Sequence, residues 1–528
     1  MKNRRAATIL ATLCLTSCAW WTWAAMGGAT PPAAGSGRPR LVLLIAVDQM
    51  RYDYLTRFRD RFKGGLKRLL DQGAVFTNAN LEHYPTVTAV GHATMLSGAT
   101  PALSGIVGND WYDRETGKNV TSVFDPAAKL LGGTGPASSP ARLQVSTLGD
   151  ELKMANRRSR VVGASFKDRS AILPVGRMAD GAYWQDGASR NFVSSTWYFA
   201  ELPAWVVAFN ERHLADHFAG AEWRAADGRL LKTMPSAPGS ELNAAIYQSP
   251  FGNELLEAFA EAALDGEQLG QRKVTDVLSV SFSSNDGLGH VVGPDSEEMA
   301  DMTVRTDQVI GALLAAVERR VGPGRTLVAL TADHGVAPVP EVMAERRMPG
   351  GRMKTADLAD PVNAALTAAY GPGKWVAGTA GSGLYLNRSL IRDKNLDEGE
   401  VESRAARVLS DTPHVARVFT RAQLLLGQVG SDSACRRVLR SFHAQRSPDV
   451  EVLLEPYWIR EEKGTTHGTP YSYDSHIPLV LLGPGIRPGR YDRAVALNDL
   501  APTLATLLAV ETPSGSEGRV LEEALTGR

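Results

Sequence analysis

Short, continuous apolar runs punctuate the chain at 41–47, 160–165, 276–283, 325–330 and 477–482. They are rich in Val, Leu and Ile, and 41–47 is wholly apolar, which predicts strands buried on both faces, as in a parallel sheet. Residues 451–454 read as a further core strand. Helical periodicity lies between these runs, at 54–70, 147–155 and 303–321, and a final helix is capped by 498–503 and runs through Leu508. Strands alternating with helices predict an α/β fold with a mostly parallel central sheet flanked by helices. Two stretches depart from the alternation. Residues 179–270 are aromatic-rich (Tyr183, Trp184, Phe192, Trp197, Tyr198, Phe199, Trp205), and 352–447 are of mixed character with strands predicted at 382–386 and 415–419. Both read as insertions into one domain spanning 39–528.

One segment has the punctuation of a short helix with a hydroxyl at its mouth. A Pro-led turn at Tyr84-Pro85 leads to Thr88; a helix-compatible stretch, 89–96, is then closed by Gly98 and Pro101. The first N–H groups of such a helix lack internal partners and carry the positive end of its dipole, so an anion binds there readily. Thr88 is then either a nucleophile, if something lowers its pKa, or simply the cap of the helix.

Polar chemistry gathers where the strands end. Asp48 follows the run at 41–47. The run at 276–283 leads into Asn285-Asp286-Gly287-Leu288-Gly289-His290, which reads as a Gly-containing turn, and the run at 325–330 into Thr331-Ala332-Asp333-His334. In open α/β sheets the functional crevice lies beyond the strand C-termini. Asp48 could equally cap the helix that follows it. Lys167-Asp168-Arg169 succeeds the run at 160–165, and two cations at a strand end can neutralise a phosphate-type dianion; a solvated surface pair is the plainer alternative. His467 sits in a Gly/Thr loop, 463–470, with His476 nearby as a rival. His213 and His217, four apart, could share a helix face, but they lack the Glu that zincins place after the first His, so an ordinary helix surface is expected. Carboxylates and imidazoles without thiolates suit zinc with open positions. Asp48, Thr88, Asp286, His290, Asp333, His334 and His467 are more groups than one tetrahedral ion needs and suggest two ions, which can clamp the attacking and leaving oxygens of an in-line displacement.

Composition narrows the setting. Of 528 residues 44% are hydrophobic and 22% charged, enough for a substantial core. Lys plus Arg equals Asp plus Glu at 57, so no basic field points to nucleic acid. Lys2, Arg4 and Arg5 precede a short apolar run, 6–15, in the pattern of an export signal within residues 1–25. Leu15-Thr16-Ser17-Cys18 resembles a lipoprotein cleavage box, which would make Cys18 a lipid anchor; cleavage near Ala24 or Ala25 is the alternative. Residues 26–38 read as a flexible tether. Cys14, Cys18 and Cys435 are the three cysteines, and only Cys435 lies in the mature body, so no disulfide framework is expected.

These landmarks together resemble the alkaline phosphatase superfamily, and within it the exported threonine-nucleophile alkaline phosphatases of the phosphate-irrepressible type. The resemblance is carried by Val47-Asp48-Gln49-Met50-Arg51, Pro85-Thr86-Val87-Thr88-Ala89 with Gly91-His92, Gly105 to Asn109, Lys167-Asp168-Arg169, Asp286 with His290, Asp333-His334-Gly335 and Gly464 to Gly468. It implies that Thr88 forms a covalent phosphothreonine; Thr86 is its rival from the residues alone. It implies that Asp48, Thr88, Asp333 and His334 surround one Zn2+, and that Asp286, His290 and His467 hold a second. Asn109, Lys167 and Arg169 would contact the phosphate oxygens. The related phosphodiesterases lack the Lys-x-Arg pair, so the resemblance favours phosphate monoesters of broad range. Each contact made chiefly to the dianion is worth about 1.5–3 kcal/mol, roughly ten- to hundredfold in preference. A periplasmic or secreted monomer is the expected form. A phosphodiesterase or nucleotide pyrophosphatase on the same fold, and a non-catalytic metal-binding lipoprotein, are the alternatives. Cys435-Arg436-Arg437-Val438 does not match a sulfatase maturation motif.

Overall fold

Seven consecutive apolar residues, Leu41–Val47, form β1, and every one of them is buried. In a strand, side chains alternate between faces, so a wholly apolar strand needs cover on both. The computed structural model, which describes residues 37–381 and 383–526, supplies that cover with helices above and below a large mixed sheet. The signal segment, Cys14, Cys18, all but the last two residues of the tether, and Ser382 lie outside the described residues.

The sheet strands are β1, β2 (Ala74–Asn80), β3 (Leu130–Leu131), β4 (Val161–Ser165), β5 (Gly181–Gln185), β6 (Phe192–Ser195), β7 (Asp276–Phe282), β8 (Thr326–Thr331), β9 (His476–Leu482), β10 (Gly489–Tyr491) and β11 (Val495–Ala496). Their order is β10-β2-β9-β8-β1-β7-β4-β5-β6-β3, with β11 also on β2. β8, β1, β7, β4 and β5 run parallel. β9 is antiparallel to both β8 and β2. The parallel centre is therefore flanked by antiparallel pairs, and the C-terminal ends of β8, β1, β7 and β4 lie side by side at one edge.

Several elements differ from the sequence-based expectation. The helical pattern at 54–70 is broken: a short turn of helix, Tyr54–Arg57, is separate from α1 (Gly65–Gln72). The break falls at Lys63 and Gly64, whose N–H groups donate to Asp307 Oδ2. Asp307 lies on the long helix α5 (Glu297–Val321), which begins just after the capping Ser296, six residues earlier than its periodicity suggests. The aromatic stretch after 179 does not leave the main sheet at once. Tyr183 and Trp184 lie on β5 and Phe192 on β6, where Phe192 stacks on Phe259 of α3 (Pro250–Gly266) with ring centroids 3.9 Å apart. Aromatic side chains here finish the sheet edge.

The chain from Ala356 to Leu454 builds a second, smaller sheet, in the order Val376–Ala380, Gly383–Leu386, Val450–Leu454, Val415–Thr420. The helices Ala356–Tyr370 and Glu398–Ser410 pack on it around Trp375 and Val401. Val450–Leu454, expected as a strand of the main core, belongs to this sheet and pairs antiparallel with Val415–Thr420. A run of Val and Leu reports burial and leaves open which core supplies it.

Candidate active site

The adjacent parallel strands deliver the predicted residues to one crevice. Asp48 follows β1, Asp333 follows β8 by two positions, and Lys167 follows β4 by two. β7 leads directly into α4 (Ser284–Val292), which carries Asp286 and His290. These two are therefore i and i+4 on a helix, one above the other, and not the brackets of a turn. Helix α2 (Thr88–Ser97) begins at Thr88 itself. Gly91 lets that helix approach, because a Cβ there would lie 2.4 Å from the Asp333 carbonyl oxygen.

Hydrogen bonds decide what each imidazole can do. His290 Nδ1 donates to the Thr465 carbonyl at 2.8 Å, His334 Nδ1 to that of Gly335 at 2.9 Å, and His467 Nδ1 to that of Thr86 at 2.8 Å. A carbonyl only accepts, so the ring proton sits on Nδ1 and the lone pair of the neutral ring is on Nε2. His290 Nε2 lies 3.2 Å from Asp286 Oδ1, and His467 Nε2 3.5 Å from the same oxygen. His334 Nε2 lies 3.1 Å from Asp333 Oδ2 and 3.4 Å from Thr88 Oγ1. Lone pairs facing carboxylate oxygens repel unless a cation sits between them. Buried Asp333 Oδ2 accepts no hydrogen bond among the described residues. The donor set thus fits metal ions, and the Asp286, His290 and His467 donor atoms lie within 4.8 Å of one another.

His92 is different. Its donor atoms are near enough to Asp48 and Asp333 to complete another three-residue group. Yet Nδ1 donates to the Thr88 carbonyl at 2.9 Å, and Nε2 is 2.8 Å from Ser281 Oγ. Ser281 spends its one proton on Asp48 Oδ1 at 2.6 Å. Both ring nitrogens of His92 are therefore already engaged within the protein. On this side it is His334 that turns Nε2 toward Asp333 Oδ2 and Thr88 Oγ1.

Lys167 sits at the centre. Its Nζ is 3.0 Å from Asp48 Oδ2, 2.6 Å from Asp286 Oδ2 and 3.4 Å from Thr88 Oγ1. Burial disfavours its charge, but Asp286 and Asp48 outweigh burial and hold its pKa well above the ordinary lysine value. Burial alone would raise Asp48, yet Lys167 and His92 bring it down to about 2. Burial and the neighbouring Asp48 push Asp333 up to about 7. Burial lowers both His334 and His467 to about 4, which keeps their rings neutral near pH 7. Asn109 Oδ1 accepts the Ala89 N–H at 2.8 Å at the mouth of α2, and its amide Nδ2 is the donor that remains. Arg169 Nε is buried with no hydrogen-bond partner among the described residues; Arg169 lines a cavity together with Asn109.

The rivals fall elsewhere. Thr86 Oγ1 donates to the Thr469 carbonyl at 2.8 Å. His476 stacks on Tyr52 and its Nε2 donates to the Thr77 carbonyl. His213 precedes a short 3-10 turn, Leu214–Phe218, so it shares no α-helical face with His217. Two residues given no role on sequence grounds matter here. Gln49 bonds to both Asp333 and Asp286. Asp474 Oδ2 accepts from Gly468 N, Thr469 N and Thr469 Oγ1, fixing the loop that carries His467. Polar residues inside otherwise ordinary segments carry no sequence signal beyond their type. Beside His290 and His467 opens a cavity of ≈ 370 Å³, walled on its far side by Glu451, Trp458 and Arg460.

A family described as type I phosphodiesterase / nucleotide pyrophosphatase matches residues 42–470. A protein of Myroides odoratus named calcium-transporting ATPase is 36% identical over 524 residues, spanning 92% of this chain and 95% of that one. The alkaline phosphatase PafA of Elizabethkingia meningoseptica is 34% identical over 519 residues, with the same two shares. The crystal structure of wild-type PafA matches with a TM-score of 0.86 at 33% identity, covering 94% of this chain and 100% of that one. The chain belongs to the alkaline phosphatase superfamily and, within it, to the type I phosphodiesterase / nucleotide pyrophosphatase family. It is an alkaline phosphatase-type phosphoesterase with a PafA-like fold. No helix among the described residues is long and apolar enough to cross a membrane.

Proposed function

We propose that this protein hydrolyses phosphate monoesters outside the cytoplasm, through two zinc ions and a covalent phosphothreonine at Thr88. One observation carries the reading: Thr88 Oγ1, at the first residue of a buried helix, lies 3.4 Å from both His334 Nε2 and Lys167 Nζ. Asp48, Thr88, Asp333 and His334 would hold one zinc; Asp286, His290 and His467 the other. When bound, zinc lowers the pKa of a coordinated hydroxyl and neutralises charge on the reacting oxygens.

The chain's own groups do the rest. Thr88 Oγ, its proton released to solvent, attacks phosphorus as the bond to the leaving oxygen breaks, and the departing alkoxide takes a proton from water. Lys167, Arg169 and the Asn109 amide hold the non-bridging oxygens, and the start of α2 adds N–H dipoles at the same place. Water then attacks phosphorus, the Thr88 Oγ–P bond breaks, and inorganic phosphate leaves. A solved PafA variant is substituted at a threonine, an asparagine, a lysine and an arginine, and its Thr-to-Asn and Lys-to-Arg spacings are those of Thr88–Asn109 and Lys167–Arg169. That supports the same four roles here. The N-terminal pattern at residues 2–18 supports export, and Cys18 would be the lipid-bearing residue of an anchored form.

The family description favours a second reading, hydrolysis of diesters. Matched aryl phosphate mono- and diesters, assayed with and without a zinc chelator, separate the two. Chelator-sensitive monoester turnover is expected, abolished in Thr88→Ala. In Lys167→Ala the monoester kcat/KM should fall roughly ten- to hundredfold, and the diester much less. Diester turnover that exceeds monoester turnover and is untouched by Lys167→Ala would replace the first reading with the second.

A further inference from the structure

Backbone and side chain make opposite demands at position 49. Its φ is +64°, in the left-handed region where glycine is unstrained and other residues cost about 1–2 kcal/mol. Glutamine nevertheless occupies it and is 2% exposed. The unusual φ turns the Gln49 N–H onto Asp333 Oδ1 at 3.0 Å. The side chain reaches the other way, where Nε2 donates to Asp286 Oδ1 at 2.7 Å. Asp333 and Asp286 follow β8 and β7, the two neighbours of β1, and belong to different ligand groups. A glycine would satisfy the backbone and forfeit the second bond.

The surroundings fix the amide. A Cβ at Gly289 would lie 1.8 Å from Gln49 Oε1, so the chain leaves room for this side chain where a larger residue would displace it. Oε1 is buried and has no hydrogen-bond partner among the described residues. The orientation is therefore set at the other end: only the NH2 can face an ionised carboxylate, because the amide oxygen there would be repelled.

We infer that Gln49 is a positioning residue that locks the Asp286 and Asp333 carboxylates into one frame, so that the two zinc groups fill as a unit. The inference rests on the two-zinc reading above. A hydrogen bond to a ligating carboxylate orients the oxygen that faces the metal, and loss of such a partner typically lowers metal affinity 10–100-fold.

Two variants separate the donor from the space it fills. Gln49→Gly keeps the left-handed backbone and removes the amide; Gln49→Met keeps a similar length without a donor. Zinc is titrated into metal-free full-length mature protein against a chromogenic chelator, and thermal unfolding is followed in EDTA. The wild type should take up two zinc ions in one concerted range. Both variants should bind one of them roughly 10–100-fold more weakly, in a separate step, with a metal-free Tm close to the wild type's. Wild-type affinity for both ions in Gln49→Met would overturn the inference, since packing alone would then suffice. So would a metal-free Tm that drops in both variants, which would make the residue merely structural. A wild-type protein that takes up no zinc would overturn the two-zinc reading, and this inference with it.

Discussion

At the scale of single residues, the buried ionisable groups divide by what compensates them. Around Thr88 the compensation is mutual: Lys167 lies between Asp48 and Asp286, and imidazoles direct Nε2 at carboxylate oxygens. Glu402, in the smaller lobe, accepts the Ala422 N–H on Oε2 at 3.0 Å. Burial pushes its carboxyl from 4.5 up to about 7. The folded chain therefore holds that proton more tightly than the unfolded chain does. The stability this contributes is full below pH 4.5 and is lost as pH rises through about 7. Glu402→Gln keeps an acceptor and never ionises. It should match the wild type near pH 4.5 and exceed it at pH 8 by roughly 1–3 kcal/mol. Chemical denaturation at the two pH values checks this; equal differences at both would rule the mechanism out.

At the scale of elements, the helices beside the sheet are placed by side chains from distant parts of the chain. Asp307 on α5 accepts the N–H groups of Lys63, Gly64 and Lys67 at 2.7, 2.6 and 3.1 Å. These are donors that the start of α1 cannot satisfy internally. Asp307→Ala would leave these part-buried donors without that acceptor, at a cost of about 1–2 kcal/mol. A lower Tm with unchanged kcat/KM on an aryl phosphate is expected, because α1 and α5 contribute no group to the crevice. A loss of activity at temperatures where the variant is fully folded would contradict that separation. Asp307 also explains why the 54–70 pattern misleads. Its apolar spacing is helical, but Gly64 and Gly65 pack so closely on α5 that a Cβ at Gly64 would lie 2.4 Å from the Asp307 carbonyl oxygen.

At the scale of the whole molecule, three buried carboxylates, Asp48, Asp286 and Asp333, converge on one crevice with Lys167 as the cation in contact with two of them. Ions that bind only the folded chain add stability by mass action, about 2.7 kcal/mol each at a hundredfold excess over Kd. Tm should rise with zinc and fall in EDTA in step with activity. A Tm independent of zinc would remove the metal from the account of this fold. The cavity beside His290 and His467 is walled by Glu451, on the smaller sheet's strand Val450–Leu454, and by Trp458 and Arg460 just after it, so the leaving group of a substrate would meet residues from both sheets.

The order of residues along the chain already dictated the burial of β1, β4, β7, β8 and β9, because runs so rich in apolar side chains admit little else. It also determined that Asp48, Asp333 and Lys167 sit at strand ends, since chain neighbours of a strand cannot leave its edge. Other matters were left to tertiary structure. Val450–Leu454 joined the smaller sheet because apolar composition does not name a partner strand. Asp286 and His290 fell on one helix face because two glycines between them are accommodated by α4. Backbone carbonyls engage the Thr86 hydroxyl and His476 Nε2, and the Ser281 hydroxyl engages His92 Nε2, contacts that set these residues apart from Thr88, His467 and His334. Such choices depend on atoms hundreds of residues apart in the chain, and Gln49, bound to residues 284 and 237 positions away, shows why: chemistry at this site is specified by convergence across β7, β1 and β8, which no local pattern records.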